Sequence, residues 1–323
     1  MASTMRNVTL HRLRVFEAVA RLASVSGAAR EMHLSQPAVS MQVRQLEEQV
    51  GLPLTERIGR NIQLTDAGQE VAQHARRLAQ QIREAEAALD AMKGLRGGRI
   101  EIGVVSTAKY FAPRLLAEYR RRHPEIELRL AVANRADVVQ MLADNAIDLA
   151  IMGTPPQHVD CEATRIAEHP LVWLASPAHP LARLKAVEPA RMAHEYLIVR
   201  EPGSGTRSAM DRYLRSHRMH PTQVLEMSSN ETIKQAVMAG MGIAFLSEHT
   251  AGLELAARRL LRLRVKDTPV LRHWYVVHRT DKRLMPAARA FRDFLVADGA
   301  RLIGAQMAPV NAAARPRGRA SIG

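Results

Sequence analysis

Residues 33–51 read HLSQPAVSMQVRQLEEQVG, with a proline near the start of an otherwise regular amphipathic pattern. Val39, Val43, Leu46 and Val50 recur at helical spacing and form one buried stripe. Ser35 is placed to cap this helix, and Pro37 falls in its first turn, where a missing backbone N–H costs nothing. The other face is unlike an ordinary solvated one. Gln36, Ala38, Ser40, Met41 and Arg44 are short, planar or hydrogen-bonding, where Lys and Glu would normally stand.

The flanking sequence gives that face a context. Upstream, LHRLRVFEAVARLA (10–23) puts Leu10, Leu13, Phe16, Val19 and Ala20 on one helical face. A break at SVS (24–26) and a short helix GAAREMH (27–33) follow, and the segment His33, Leu34, Ser35 leads into the next helix. A short helix, a tight turn and a second helix with a polar outer face form a helix-turn-helix, whose second helix enters the major groove of double-stranded DNA. Downstream, GLPLTERIGRNIQLTDAG (51–68) is rich in turn residues, with Arg57 and Arg60 between apolar segments, and fits a small β-wing beside the DNA backbone. Residues 1–66 are thus expected to be a winged helix-turn-helix, all-α apart from the wing.

From Asp66 the pattern becomes one long helix. Val71, Ala75, Leu78, Ile82, Ala85, Leu89 and Met92 alternate in steps of four and three, a heptad seam that Leu64 and Gly68 extend backwards. A single helix leaves that stripe in water, so residues 67–93 are expected to dimerise as a coiled-coil linker. KGLRGG (93–98) ends the helix, with a hinge at 94–98.

Beyond the hinge, RIEIGVV, FAPRLLAEYRRRH, EIELRLAVA, DVVQMLADN and IDLAIMG alternate as βαβαβ, which predicts a parallel, helix-covered sheet. A second α/β run follows from PLVWLAS through EYLIVRE, PGSG, TRSAMDRYLRSH, QVLEM and ETIKQAVMAG to GIAFLS. Two such units imply a two-subdomain α/β domain over 99–304, with a cleft between subdomain I (99–173 and 277–304) and subdomain II (174–276). HWYVVH and PAARAFRDFLVADGARL are expected to return to subdomain I. The segment 305–323 has little to bury and reads as a disordered basic tail.

Whole-chain properties narrow the class. The 323 residues are 47% apolar, no apolar run is long enough for a membrane span, and the N-terminus lacks a signal peptide's apolar core, so the expected location is the cytoplasm with no membrane partner. Cys161 is the one cysteine, which rules out an intrachain disulfide. The net charge is +14, but residues 1–66 hold eight Arg against six acidic residues, so the excess lies downstream. Bulk charge alone therefore does not identify a DNA-binding N-terminus.

Ligands of open parallel sheets sit beyond the carboxyl ends of the strands and at helix N-termini. That rule selects Ser106, Thr107 and Lys109, then Asn134 and Arg135, then Thr154; in the second unit it selects Gly203, Ser204, Gly205, Thr206 and Arg207, then Asn230. Hydroxyls, backbone N–H groups and a few cations suit a small anion, although Ser204, Thr206 and Asn230 could each be a helix cap and no more. Two enzyme-like patterns are weaker. STAK (106–109) and SSN (228–230) match S-x-x-K and S-x-N of penicillin-recognising serine hydrolases, but K-T-G is absent. GMGIAF (240–245) precedes a strand, the reverse of a dinucleotide fingerprint. His217 and His220 have no third ligand nearby, and no metal or cofactor is expected.

The stretch Phe16 to Gly68, FEAVARLASVSGAAREMHLSQPAVSMQVRQLEEQVGLPLTERIGRNIQLTDAG, resembles the LysR-type bacterial transcriptional regulators, and the linker helix and two-subdomain layout extend the likeness over nearly the whole chain. Thr55 departs from the family's usual Phe, which puts local wing packing in question. Within the family, Gly103 to Pro156 is similar to the regulators of Calvin-cycle carbon-fixation operons. The resemblance implies a periplasmic-binding-protein-like effector domain, homodimers or homotetramers that bend promoter DNA, RNA polymerase as a further partner, and a phosphorylated metabolite or reduced nicotinamide nucleotide as effector. It also implies DNA contacts at Ser35, Gln36, Pro37, Ala38, Ser40, Met41 and Arg44 and, in the wing, at Arg57, Arg60 and Asn61. The rival from another class is a solute-binding or transport-associated protein using the same cleft without DNA.

Overall fold

The computed structural model describes residues 7–58, 61–92 and 97–305. The chain divides near residues 95 and 96 into two compact units. The first unit holds α1 (Leu10–Leu22), α2 (Val25–Glu31), α3 (Gln36–Val50), the two-stranded ribbon β1 (Thr55–Ile58) and β2 (Asn61–Leu64), and α4 (Asp66–Met92).

Local chemistry sets each boundary. Thr9 caps α1, its hydroxyl accepting the Arg12 N–H at 3.3 Å. The Ser24 hydroxyl accepts the Gly27 N–H at 3.0 Å, so α2 begins at Val25 and takes in part of the expected break. Two of the three residues that read as an interruption are therefore the helix's first turn. His33, at φ 53°, turns the chain between α2 and α3. Ser35 then caps α3 by accepting the Ala38 N–H at 3.3 Å, with Pro37 in the first turn as expected, and Gly51 at φ 77° ends the helix. Phe16, Val19, Ala28, Val39, Leu46 and Leu54 form the core of this unit. Full burial of Phe16 or Leu46 contributes about 2 kcal/mol each. In the wing, Arg57 pairs opposite Ile62. Arg60 lies outside the described residues, as do the side chains of Arg57 and Asn61.

The start of α4 belongs to this core. A Cβ on Gly68 would sit 1.9 Å from the Leu54 carbonyl oxygen, so only glycine lets the helix approach the segment leading into β1. Ala72 and Ala75 are buried beside it, with Leu64 and Val71 packed against them. This corrects the seam: Val71 and Ala75 face the chain's own core, because α4 must close the helix-turn-helix before it leaves it. Further along, Leu78 (42% exposed) and Leu89 (55%) stand open, Ala85 is exposed and Ile82 half-buried. The Met92 side chain is outside the described residues, as are positions 93–96 of the hinge region and the tail from 306 onward.

The second unit is built on one mixed sheet. Its elements are β3 (Gly98–Val105), α5 (Ala112–Arg122), β4 (Ile126–Ala133), α6 (Arg135–Ala143), β5 (Leu149–Met152), β6 (Cys161–Ala175), α7 (Pro189–Met192), β7 (Tyr196–Arg200), α8 (Gly205–Ser216), β8 (Gln223–Met227), α9 (Asn230–Met238), β9 (Ile243–Ser247), α10 (Gly252–Ala256), β10 (Leu261–Arg262), β11 (Val270–Arg279) and α11 (Pro286–Gly304). The strand order is β4-β3-β5-β11-β6-β9-β7-β8, with β10 beside β6. β3 runs parallel to β4 and β5, and β7 runs parallel to β8 and β9, as the two α/β runs predict.

Joining the halves is the antiparallel pair β6 and β11, matched from Val270 with Leu171 to Arg279 with Cys161. Both strands are longer than the apolar runs PLVWLAS and HWYVVH suggested. The first part of β6 carries Glu162, Thr164 and Glu168 and leaves one face wet, so it has no continuous apolar signal; its partner strand makes it a strand. The boundaries at 173/174 and 276/277 fall inside these strands, the first of them near Leu171, where pairing with β11 ends and pairing with β9 begins. One core gathers Ile100, Phe111, Tyr119, Trp274 and Phe291, so α11 does return to the first half. The other is centred on Trp173, Tyr213 and Phe245. Among the described residues no helix is long and apolar enough to cross a membrane.

Candidate functional site

The outer face of α3 is presented as its sequence implied. Ser35, Gln36, Pro37 and Arg44 are exposed, Met41 is 51% exposed, and Ala38 and Ser40 are half-buried. A neighbouring stripe of the same helix does something the sequence did not announce. Arg12 of α1 donates to Oε1 of Gln42 (3.2 Å), Gln45 (2.9 Å) and Gln49 (2.7 Å). One guanidinium fork thus fixes α3 against α1, and because its partners are neutral amides its charge is not cancelled there. The spacing Gln42, Gln45, Gln49 is a helical stripe, so a signal was present, but no pattern in one helix identifies the cation on another.

In the second unit a cleft of about 320 Å3 opens where the two halves of the sheet meet. It is lined by Val105, Ser106 and Thr107 at the end of β3, Arg135 at the start of α6, Gly153 and Thr154 after β5, His169 in β6, Ser204 to Thr206 at the start of α8, and Arg272 in β11. No carboxylate is among these lining residues. Arg272 spans the halves, donating from Nη2 to the Gly153 carbonyl (2.8 Å) and from Nη1 to the Gly205 carbonyl (2.9 Å). Arg135 donates to the carbonyls of Thr154 (3.3 Å) and Pro155 (3.2 Å).

Both guanidiniums therefore bond to neutral oxygens in a partly desolvated place. Burial, reinforced by Arg212 and Arg135, pushes Arg272 down to about 10, and burial lowers Arg135. Each stays a cation at neutral pH, and each would gain from an anion. Arg200 ties the cleft together from behind. It is 2% exposed and donates to the Ser106 hydroxyl (3.0 Å), to Asn230 Oδ1 (2.8 Å) and to both Glu201 oxygens (2.7 Å each).

Of the residues the strand-end rule selected, Ser106, Thr107, Arg135, Thr154, Ser204, Gly205 and Thr206 line this cleft. Five do not, each for a visible reason. Lys109 lies over the Tyr110 ring, 5.2 Å from its centroid. Asn134 caps α6 by accepting the Asp137 N–H at 2.9 Å. Gly203 supplies a turn at φ 83°. Arg207 points to Asp211, Glu226 and the Arg200 carbonyl, and Asn230 is buried under Arg200. Conversely, Gly153, His169 and Arg272 were missed. The rule looks beyond the ends of parallel strands, whereas His169 and Arg272 sit within the antiparallel pair that crosses the cleft floor.

The enzyme-like patterns dissolve in this setting. Ser106 accepts from Arg200 and Lys109 lies against an aromatic ring, so the two form no nucleophile and base pair. His217 donates to the Asp267 carboxylate (3.1 Å) and to the Tyr213 carbonyl (2.9 Å), and among the described residues no cluster could hold a metal.

A winged helix-turn-helix with a long linker helix and a cleft-bearing two-part α/β domain defines a ligand-responsive bacterial transcriptional regulator. Residues 10–69 match the bacterial regulatory helix-turn-helix protein of the lysR family, and residues 93–300 match the LysR substrate binding domain. The chain belongs to the LysR family, a family of DNA-binding transcriptional regulators and not of enzymes. It is 50% identical over 296 residues to the RuBisCO operon transcriptional regulator of Allochromatium vinosum, covering 92% of this chain and 98% of that protein. It is 47% identical over 304 residues to the HTH-type transcriptional regulator CfxR of Cupriavidus necator, covering 94% and 96%. Among solved structures, the regulatory domain of Synechocystis PCC6803 CcmR in complex with 2-PG is 39% identical, with a TM-score of 0.60 over 62% of this chain and 96% of that one.

Proposed function

We propose that this chain controls a carbon-fixation operon from the cytoplasm, binding its promoter as a homo-oligomer and answering to a small phosphorylated anion held in the cleft. Residues 1–66 read DNA, 67–93 pair subunits through Leu78, Ile82, Ala85 and Leu89, and 99–304 receive the effector. The observation that carries the effector class is the pairing of Arg135 and Arg272, two partly desolvated guanidiniums that among the described residues bond only to carbonyls, in a cleft whose lining includes no carboxylate. The relatives named for the RuBisCO operon, and the 2-PG complex of the CcmR domain, support the same assignment. An anion that spans the two halves favours one relative arrangement of them, and its differential affinity for two arrangements is what the DNA-bound oligomer senses.

The test combines calorimetry with footprinting. The full chain is expected to bind 2-phosphoglycolate, Arg272→Met to lose that binding, and both chains to protect the same promoter site. Binding only of uncharged or aromatic compounds would refute the anion reading. Failure to protect any site in the promoter of a carbon-fixation operon would refute the regulator assignment to that operon.

A further inference from the structure

We infer that His169 takes up a proton when an anion enters the cleft, so that the occupied site is a three-cation clamp of Arg135, Arg272 and a His169 imidazolium suited to a multiply charged anion. The inference rests on the anion reading above and adds a residue and a proton to it.

His169 is 2% exposed, it lines the cleft, and neither ring nitrogen has a hydrogen-bond partner among the described residues. A buried imidazole without a partner is costly, and the space it faces is the one a ligand would fill. Gly153 packs directly on this ring: a Cβ added there would sit 2.7 Å from Nδ1 of His169 and 3.5 Å from Nη2 of Arg272, so only glycine lets the end of β5 lie beside both the imidazole and the guanidinium. The ring and the guanidinium thus border the same end of the cleft.

The free ring is neutral. Burial, then the charge of Arg272, then His249 hold it well below the usual histidine range. An anion in the cleft beside His169 and Arg272 reverses that balance, because it offsets the guanidinium's repulsion and favours the charged ring. The ring also stacks on Trp274, with centroids 3.9 Å apart and planes at 16°. An indole face stabilises a cation lying over it, so the protonated ring is supported from behind as well.

The groups around His169 leave it as the one that exchanges the proton. Arg272 from β11 and Arg135 from α6 remain charged at neutral pH. His249, from the turn after β9, is 6.2 Å away between centroids and is pushed down to about 4 by burial. Among the described residues no carboxylate lines the cleft to compete.

Titration calorimetry of the full chain in Hepes and in Tris at one pH reads the protons taken up with the ligand. With 2-phosphoglycolate at pH 7.5, wild type is expected to take up more protons than His169→Gln, the difference growing towards about one per site as the pH is lowered to 6.5. The wild-type Kd should rise by up to about tenfold per pH unit relative to the variant as the bound ring titrates. Sulfate, whose charge is fixed over this range, gives the same readout on wild-type protein alone. Gly153→Ala puts a methyl group against the imidazole and must displace the ring from beside Arg272, and it should weaken 2-phosphoglycolate binding at least tenfold while promoter protection persists. Equal proton uptake in both chains, sulfate binding without uptake, or unchanged affinity in Gly153→Ala would overturn this inference and leave the anion reading intact. No binding of 2-phosphoglycolate by wild type would overturn both.

Discussion

The Thr55 hydroxyl donates to Oε1 of Glu47 at 3.1 Å, and the same oxygen accepts the backbone N–H groups of Leu54 (2.9 Å) and Thr55 (3.0 Å). One carboxylate oxygen near the end of α3 thereby holds the first strand of the wing. At Thr55, where the family resemblance leads one to expect Phe, the structure has a hydroxyl that joins two backbone amides on a shared acceptor. Glu47→Ala leaves those donors unsatisfied and should cost about 2 kcal/mol, against about 1 kcal/mol for Thr55→Val. Urea unfolding of the full chain, followed through the DNA-binding unit, measures both; equal stability of Glu47→Ala and wild type would remove the carboxylate from this role.

Gln36 and Arg12 should separate base reading from helix placement. Gln36 is exposed at the start of α3, where an amide can pair with an adenine edge. Gln36→Ala should weaken operator binding by about 1 to 3 kcal/mol with little change on random DNA. Arg12 touches the neighbouring stripe of the helix through three glutamines. Arg12→Met should loosen α3, lowering the unfolding midpoint together with operator affinity. Equal losses of Gln36→Ala on operator and random DNA, or an unchanged midpoint for Arg12→Met, would contradict these roles.

What the sequence made legible follows from how local the cause was. The helix-turn-helix could be read because Ser35, Pro37 and the Val39, Val43, Leu46 stripe act within one helix. The inner parallel strands β5, β7 and β9 could be read because both of their faces are buried and they are apolar almost throughout. The cleft floor could not, since His169 and Arg272 lie on alternating, half-wet strands whose extent depends on each other. Gly68 misled for a related reason: it fits a heptad by spacing, but its place is decided by the Leu54 carbonyl across the fold.

The seam that remains on α4 is short, and its weight falls on two residues. With Val71 and Ala75 committed to the chain's own core, Leu78 and Leu89 are the large apolar side chains left open among the described residues of α4. A helix pair in the oligomer would cover both. Leu78→Glu with Leu89→Glu should therefore lower the mass seen by light scattering by at least half at micromolar concentration, without lowering the helix content of the DNA-binding unit. Val71→Glu should instead unfold that unit, and an intact oligomer in the double variant would place the pairing surface elsewhere.

Acid should weaken the second unit through its buried histidines. His249 is 4% exposed, packs edge-on against Phe111 with centroids 5.9 Å apart, and accepts the Trp274 indole N–H on Nδ1 at 3.5 Å. Burial pushes it down to about 4, so it is neutral in the fold. In the unfolded chain the same ring titrates near its ordinary value of about 6.5. Below that value the unfolded chain binds a proton that the folded chain refuses. The stabilising contribution is complete above the unfolded pKa and is lost as pH falls towards about 4. His169, depressed in the same direction, adds to the loss. At about 1.4 kcal/mol per pH unit, His249 alone accounts for at most about 3 kcal/mol across this window. The melting temperature of the full chain should hold between pH 8 and 7 and drop between pH 6 and 5. His249→Gln, which keeps an acceptor for the indole N–H but cannot charge, should flatten that drop by roughly half; identical pH profiles for the two chains would exclude His249 as its source.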